Sequence, residues 1–225
     1  MVDKPFGWTS HDVVKKTKNI LRGVKVGHTG TLDPFATGVL VLLIGRSTKL
    51  ARFFEKDNKS YIAEITFGYA TDTYDCTGNT TITGDPGKVD MEKLKTAIKN
   101  LEGESEQYPP MYSAVKVDGK RLYKLARAGR EIERKPRKIY ISFIESILTD
   151  YPKITLNITC SKGTYVRSIA DELGKEAGCP AHLSALRRTA SGKFTIEDTV
   201  NFLSIIESVD YNIFKKLITP IQEVK

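Results

Sequence analysis

The chain has 225 residues, 40% of them hydrophobic, enough to bury a sizeable core as one large domain or two small ones. Lys and Arg outnumber Asp and Glu by 35 to 27, and the resulting net charge of +8 suits a polyanionic partner, with RNA, DNA and an anionic membrane all open on charge alone. The longest unbroken apolar run, residues 39–44, is far short of the roughly 20 residues a spanning helix needs, and no apolar stretch near the N-terminus reads as a signal peptide, so a cytoplasmic protein is expected.

Cys76, Cys160 and Cys179 form no C-x-x-C pair, and only His11, His28 and His182 could add imidazole ligands, so neither a disulfide framework nor a metal site is expected. Residues 84–88 end in Gly-Lys, but Ile82 and Val89 stand where a nucleotide-binding loop needs Gly and Ser or Thr.

Taken in chain order, residues 39–44, closed by Gly45, read as one fully buried strand. Residues 48–54 read as a short helix, and residues 60–67 as a strand with Tyr61, Ala63, Ile65 and Phe67 on one face. Asp90 is placed to cap a helix whose Leu94, Ala97, Ile98 and Leu101 recur at helical spacing, with Gly103 just beyond. Residues 112–117, the pair Asp118-Gly119 and residues 122–128 read as strand, turn and helix, ended by Gly129. Arg127, Arg130, Arg134, Lys135, Arg137 and Lys138 follow closely. A solvated surface is the plain reading of such a run, but the overall basic excess points to a phosphate-contacting face. Residues 139–147 and 154–160 read as strands, 165–177 as a helix followed by Gly178, and 183–188 as one more strand. Residues 202–206 and 213–218 read as helical turns stopped at Pro220. The sum is a single α+β domain, with a mixed, mostly antiparallel sheet flanked by helices.

Two segments carry chemistry. Residues 27–38 (GHTGTLDPFATG) form a glycine-rich loop whose sole carboxylate is Asp33, and Pro34 biases that residue toward an extended conformation. Alone, an Asp-Pro pair in such a loop is more often a plain turn. The second segment, residues 160–168 (CSKGTYVRS), spans a strand-to-helix junction and puts Arg167 in the helix's first turn. A cation there opposes the helix dipole at a cost of ~0.3–1 kcal/mol, so an anionic partner is required, with Asp171 one turn on as the local alternative. By residue type alone, Tyr61 reads as a core aromatic, His28 as a hydrogen-bonded turn residue, and Asp72 and Asp75 as a solvated turn without calcium-loop spacing.

The stretch 2–10 (VDKPFGWTS) together with loop 27–38 resembles the signature of the bacterial tRNA pseudouridine-55 synthases, the TruB family. Residues 110–116 (PMYSAVK) and 119–123 (GKRLY) look like the family's next block, and 161–167 (SKGTYVR) with Leu186-Arg187-Arg188 like its last two. The resemblance implies a pseudouridine synthase fold with an RNA-binding insertion across residues 112–133. It also implies an enzyme that isomerises uridine 55 in the tRNA T loop, with no cofactor, no metal and no obligatory protein partner beyond the tRNA T arm. By resemblance Asp33 is the nucleophile and Arg167 pairs with it. Tyr61 stacks on the flipped base and is a candidate for assisting a proton transfer. Tyr165 and Leu186 line the uracil pocket, and His28 fills space beside the displaced base. Since Arg167 has more donors than Asp33 can satisfy, Asp75 is expected to accept the others.

Relatives usually begin with further residues ahead of Val2, and many carry a C-terminal RNA-binding PUA domain, for which nothing remains after Lys225; a catalytic domain alone is expected. Two other readings stand beside this one: a non-catalytic tRNA-binding or folding module, and a guide-RNA-dependent synthase of the archaeal and eukaryotic type. A hydrolase of glycosidic bonds would want two carboxylates, and the motif has one. Whether Asp33 attacks C1′ or C6, and which group moves the C5 proton, both stay open.

Overall fold

The computed structural model describes residues 1–117, 119–208 and 211–220. From the N-terminus run β1 (Val2–Lys4), α1 (Ser10–Ile20), β2 (Val26–His28), β3 (Thr37–Leu40), β4 (Leu42–Ile44), a 3-10 turn (Gly45–Leu50), α2 (Ala51–Phe54) and β5 (Lys59–Phe67). There follow β6 (Tyr69–Thr71), β7 (Thr80–Thr83), α3 (Met91–Asn100), β8 (Gly103–Gln107), β9 (Lys116–Val117), β10 (Lys120–Arg121) and α4 (Leu122–Arg127). The last elements are β11 (Arg137–Asp150), β12 (Lys153–Cys160), α5 (Val166–Glu176), β13 (Ala181–Ser191), β14 (Phe194–Thr195), β15 (Val200–Asn201), α6 (Phe202–Ser208) and α7 (Tyr211–Lys216). No helix among the described residues is long and apolar enough to cross a membrane.

The chain forms two compact units, one of Met1–Ser60 with Arg187–Lys225, the other of Tyr61–Leu186. In the first, β1 lies between β15, which it pairs in parallel, and β3, which it pairs antiparallel. Arg187 and Arg188 of β13 pair in parallel with Thr37 and Gly38 on the other side of β3, and β2 and β4 form a separate antiparallel pair. Helix α1 starts where Thr9 and Asp12 close a reciprocal capping box, and it buries Val13 against Val2, Leu40 and Phe202. Trp8 packs edge-on to Phe202 at 5.6 Å.

In the second unit β5, β12, β11 and β8 are neighbours in that order, and β11 pairs antiparallel with both β12 and β8. Its core comes from strand alternation: Ala63, Ile65 and Phe67 of β5 and Ile154, Leu156 and Ile158 of β12 are all essentially fully buried. Helix α5 adds Val166, Ile169, Ala170 and Leu173, an i, i+3, i+4, i+7 stripe. Helix α3 packs beside it, capped by Asp90 as expected, with Leu94 buried. The class is mixed α and β with a mostly antiparallel sheet, parallel pairing occurring between β1 and β15 and between β3 and β13.

Two expected strands differ. Residues 39–44 are not one strand, because the chain breaks at Val41, whose carbonyl accepts from Thr29 N (3.2 Å). The residues before it pair with β1 and those after it with β2, so one apolar run serves two sheets. Residues 112–117 form a strand only over Lys116–Val117, paired with Lys120–Arg121. The carbonyls upstream are taken elsewhere, Ser113 by Tyr123 N and Val115 by Leu122 N at the start of α4. Of the expected turn, Asp118 lies outside the described residues, and Gly119 has the positive φ (+77°) the turn required.

Gly38 is a position where only glycine fits. Its φ is +101°, and an added Cβ would fall well inside contact distance of the Arg188 carbonyl oxygen and backbone nitrogen. Gly38→Ala is therefore expected to lower unfolding free energy by about 3 kcal/mol or more in urea titrations, whereas a loss under about 1 kcal/mol would mean that the β3–β13 contact relaxes freely.

Candidate active site

In the first unit the connection between β2 and β3 carries Asp33, half-buried, between the buried side chains of Leu32 and Phe35. Its backbone is clamped on both sides. Before it, Ser10 Oγ accepts from Leu32 N (2.8 Å) and donates to Leu32 O (3.1 Å). After it, the Pro34 carbonyl accepts from Gly7 N (2.8 Å) and from Lys4 Nζ (3.2 Å). The Lys4 ammonium is fully buried and also donates to Trp8 O (2.6 Å) and Pro5 O (2.8 Å). Burial pushes its pKa down to about 8, and the Asp33 carboxylate is first among the charges that work the other way.

The loop's far end is tied equally closely. Asp3 accepts from Gly38 N (3.0 Å) and pairs with Arg187 (2.7 Å). Arg188, 2% exposed, donates from Nε to Val39 O (2.7 Å) and from Nη2 to Gly30 O (3.1 Å). Lys4, Ser10 and Arg188 were not singled out from the sequence, although the first two fall in the stretch 2–10 and the third ends the Leu186-Arg187-Arg188 motif. His28, half-buried on β2, accepts from Gly30 N at Nδ1 (3.3 Å), and burial followed by the nearby Arg188 charge lowers its pKa, which keeps the ring neutral. His28 thus ends a strand, paired with Leu42, and does not sit in a turn as the plain reading had it.

In the second unit Arg167, the second residue of α5, is 4% exposed. Its Nη1 donates to Asp75 Oδ2 (3.2 Å) and to Thr73 O (3.1 Å), and its Nη2 to Tyr112 O (3.0 Å). Asp75 is thus buried and not the solvated turn residue that its polar loop suggested. Its Oδ1 accepts from Thr73 Oγ1 (2.8 Å), Thr77 N (2.9 Å) and Thr77 Oγ1 (2.6 Å). The loop is fastened to β13, since Leu183 N donates to Tyr74 O and Cys76 N to Leu183 O, both at 3.0 Å. Asp72 keeps the turn role, accepting from Asn79 N (2.9 Å). Asp171, the local alternative for Arg167, is held by Lys175 (2.6 Å). The anion that answers the helix-dipole cost within this unit comes from Asp75.

Tyr165 is the N-cap of α5, and its backbone is gripped by Gln107, which donates to Tyr165 O (3.1 Å) and accepts from Tyr165 N (2.7 Å). Tyr61 shares a strand face with Ala63, Ile65 and Phe67 but is only half-buried, and Leu186 on β13 is 8% exposed. The structure therefore brings Arg167 and Asp75 into one network, fastens the Tyr165 backbone to Gln107, and holds Asp33 and His28 on one pinned loop. Cations of the segment 116–138 lie largely at the surface, with Arg134 partly covered and donating to Pro109 O (3.1 Å).

Removing the Asp75 carboxylate takes a counter-charge and an acceptor from a buried guanidinium. Asp75→Ala is expected to cost about 3–5 kcal/mol of stability by urea unfolding; a loss comparable to an exposed ion pair, under about 1 kcal/mol, would show that water replaces the carboxylate.

Comparison with known proteins bears directly on these motifs. The family model for the TruB family pseudouridylate synthase N-terminal domain matches residues 18–166, and that for the tRNA pseudouridylate synthase B C-terminal domain matches residues 167–224. The chain is 46% identical over 205 residues to tRNA pseudouridine synthase B of Syntrophotalea carbinolica, covering 91% of this chain and 67% of that protein. To the protein of the same name from Bacillus cereus it is 44% identical, covering 99% of this chain and 75% of the relative. Among solved structures it resembles a chain of the Cbf5-Nop10-Gar1 complex, with 30% identity, a TM-score of 0.74 and coverage of 97% of this chain but only 58% of that one. A chain from an H/ACA RNP bound to a substrate RNA containing 2'-deoxyuridine is similar at 27% identity and a TM-score of 0.68. With both family models matched end to end across the clamped Asp33 loop and the Arg167 network, the chain belongs to the TruB family of pseudouridylate synthases.

Proposed function

We propose that this chain isomerises uridine 55 in the T loop of tRNA to pseudouridine, with Asp33 as the nucleophile. The observation that carries the reading is the loop 27–38, which holds a single carboxylate by backbone bonds on either side, in a chain whose relatives at 42–46% identity bear the name tRNA pseudouridine synthase B. The reaction breaks the N1–C1′ bond, turns the uracil and joins C5 to C1′. N1 takes up a proton and C5 releases one to solvent. An ionised carboxylate that adds to C1′ expels the base, and one that adds to C6 weakens the same bond; both routes need the same rigidly held oxygen. The isomerisation involves no net redox change and no hydrolysis, so it calls for no cofactor.

On this reading Arg167 supplies the positive charge that keeps the nucleophile ionised, and Asp75 is a positioning residue that holds the guanidinium in place. Tyr61 stacks on the extruded base and is a candidate for moving the C5 proton, while Tyr165 and Leu186 bound the uracil. His28 occupies the space the base leaves, and its neutral ring suits that role. Extruding a stacked uridine costs a few kcal/mol, which contacts between the basic segment 116–138 and T-arm phosphates offset. A tRNA substrate is consistent with work in the cytoplasm. The guide-RNA-dependent reading is the weaker one, since its solved representatives share 27–30% identity against 42–46% for the tRNA enzymes. A tRNA-folding role is compatible with catalysis as a second activity.

Asp33→Asn is expected to bind unmodified tRNA as wild type does and to release no tritium from 5-tritiated uridine substrate; measurable release would refute the nucleophile assignment. Arg167→Lys is expected to lose on the order of 10²-fold in single-turnover rate, because one ammonium cannot replace a fork that donates to several acceptors at once. A rate near wild type would remove Arg167 from the mechanism.

A further inference from the structure

We propose that Gln107 is a positioning residue for this reaction, its carboxamide holding the Tyr165 backbone and the start of α5 in the geometry turnover requires. The inference rests on the reading of Tyr165 and Arg167 as site residues.

Gln107 is the last residue of β8 and is 6% exposed. Its Oε1 accepts from Tyr165 N (2.7 Å) and its Nε2 donates to Tyr165 O (3.1 Å). A planar amide that closes two bonds onto one residue does what a neighbouring strand residue would do, fixing both the place and the rotation of that backbone. Tyr165 is the N-cap of α5, and the carbonyl that Gln107 holds also receives the helix's first N–H groups, from Ser168 (3.0 Å) and Ile169 (3.3 Å), so its orientation sets the start of the helix. Burying an amide is costly unless every group is satisfied, so an apolar side chain would serve packing alone at least as well. A buried glutamine with both ends on one residue specifies geometry.

The same short stretch of chain holds Arg167. Five residues beyond Gln107, the Tyr112 carbonyl accepts from Arg167 Nη2 (3.0 Å), and between them Pro109 and Pro110 restrict the backbone. Residues 107–112 are therefore a strap across the first turn of α5, fastened at one end to Tyr165 and at the other to Arg167. Its two sides join the basic segment. Arg134 donates to Pro109 O (3.1 Å), and Arg137, where the chain returns to the sheet, lies opposite Gln107 in the β8–β11 register. Release of the Gln107 end leaves the fold's core untouched and loosens the two side chains that the reaction uses.

The test uses the full chain and an unmodified tRNA transcript. Gln107→Met removes both bonds at similar volume, while Gln107→Glu keeps an acceptor for the Tyr165 N–H and loses the donor to its carbonyl. Single-turnover rates at saturating enzyme are expected to fall in the order wild type, Gln107→Glu, Gln107→Met, by on the order of 10- to 100-fold for the last. Affinity for tRNA changes by less than about twofold, and the Tyr165 amide loses hydrogen-exchange protection in Gln107→Met. A folded Gln107→Met with a rate within about threefold of wild type, or a loss that falls wholly on tRNA affinity, overturns the proposal. If Gln107→Met does not fold, Gln107→Glu against wild type is judged by the same two criteria. A wild-type chain that makes no pseudouridine counts against the proposed function instead, and in that case a Tyr165 amide that stays protected in either variant overturns the present inference.

Discussion

A guanidinium taken out of water must find acceptors inside the protein, and those of Arg167 include the Thr73 carbonyl, the Asp75 carboxylate and the Tyr112 carbonyl, all far from it in sequence. The desolvation cost of such a pair is several kcal/mol per ion, so the arrangement holds only if the geometry is good and the remaining lone pairs are satisfied. On the carboxylate side the second condition is met. Asp75 takes three further hydrogen bonds from Thr73 and Thr77, and the loop that carries it is bonded on both flanks to Leu183. Satisfying one side chain thereby fixes the β6–β7 loop and the 107–112 strap against the N-terminus of α5. The pair is better understood as a specifier of geometry than as a source of net stability.

The first unit uses the same logic with a different anion. Lys4 and Arg188 are buried cations whose hydrogen-bond acceptors are main-chain carbonyls, those of Pro5, Trp8, Pro34, Gly30 and Val39. Carbonyl dipoles satisfy the donors without cancelling the charge, so a positive potential persists around the loop, where Asp33 supplies the negative charge. The cations act mechanically as well, for each holds backbone of the segment that presents the carboxylate. Preorganisation of this kind spares the reorganisation that a mobile loop would undergo at each turnover.

Local patterns were enough to find much of this molecule. The Asp90 cap and the spacing of Leu94 to Leu101 gave α3, alternation gave β5, and the glycine-rich loop and the Ser161 to Arg167 stretch pointed to the residues that now define the candidate site. Misreadings arose where a backbone group's partner lay elsewhere. The break at Val41 exists because its carbonyl is claimed by Thr29, and the strand expected over 112–117 shrinks because Ser113 and Val115 turn their carbonyls to α4.

A helix cap and hydrophobic spacing are properties of neighbouring residues, so the sequence by itself led to the α and β elements, while the resemblance of its ordered motifs to the TruB family made Asp33 and Arg167 the residues to watch. The burial of Asp75, the carbonyl grip of Lys4 and Arg188 and the hold of Gln107 on Tyr165 could not be read that way. Each depends on a hydrogen bond across at least 30 residues, except those within the Lys4 turn and the Asp75 loop, and the identity of a distant acceptor is written only in the folded backbone.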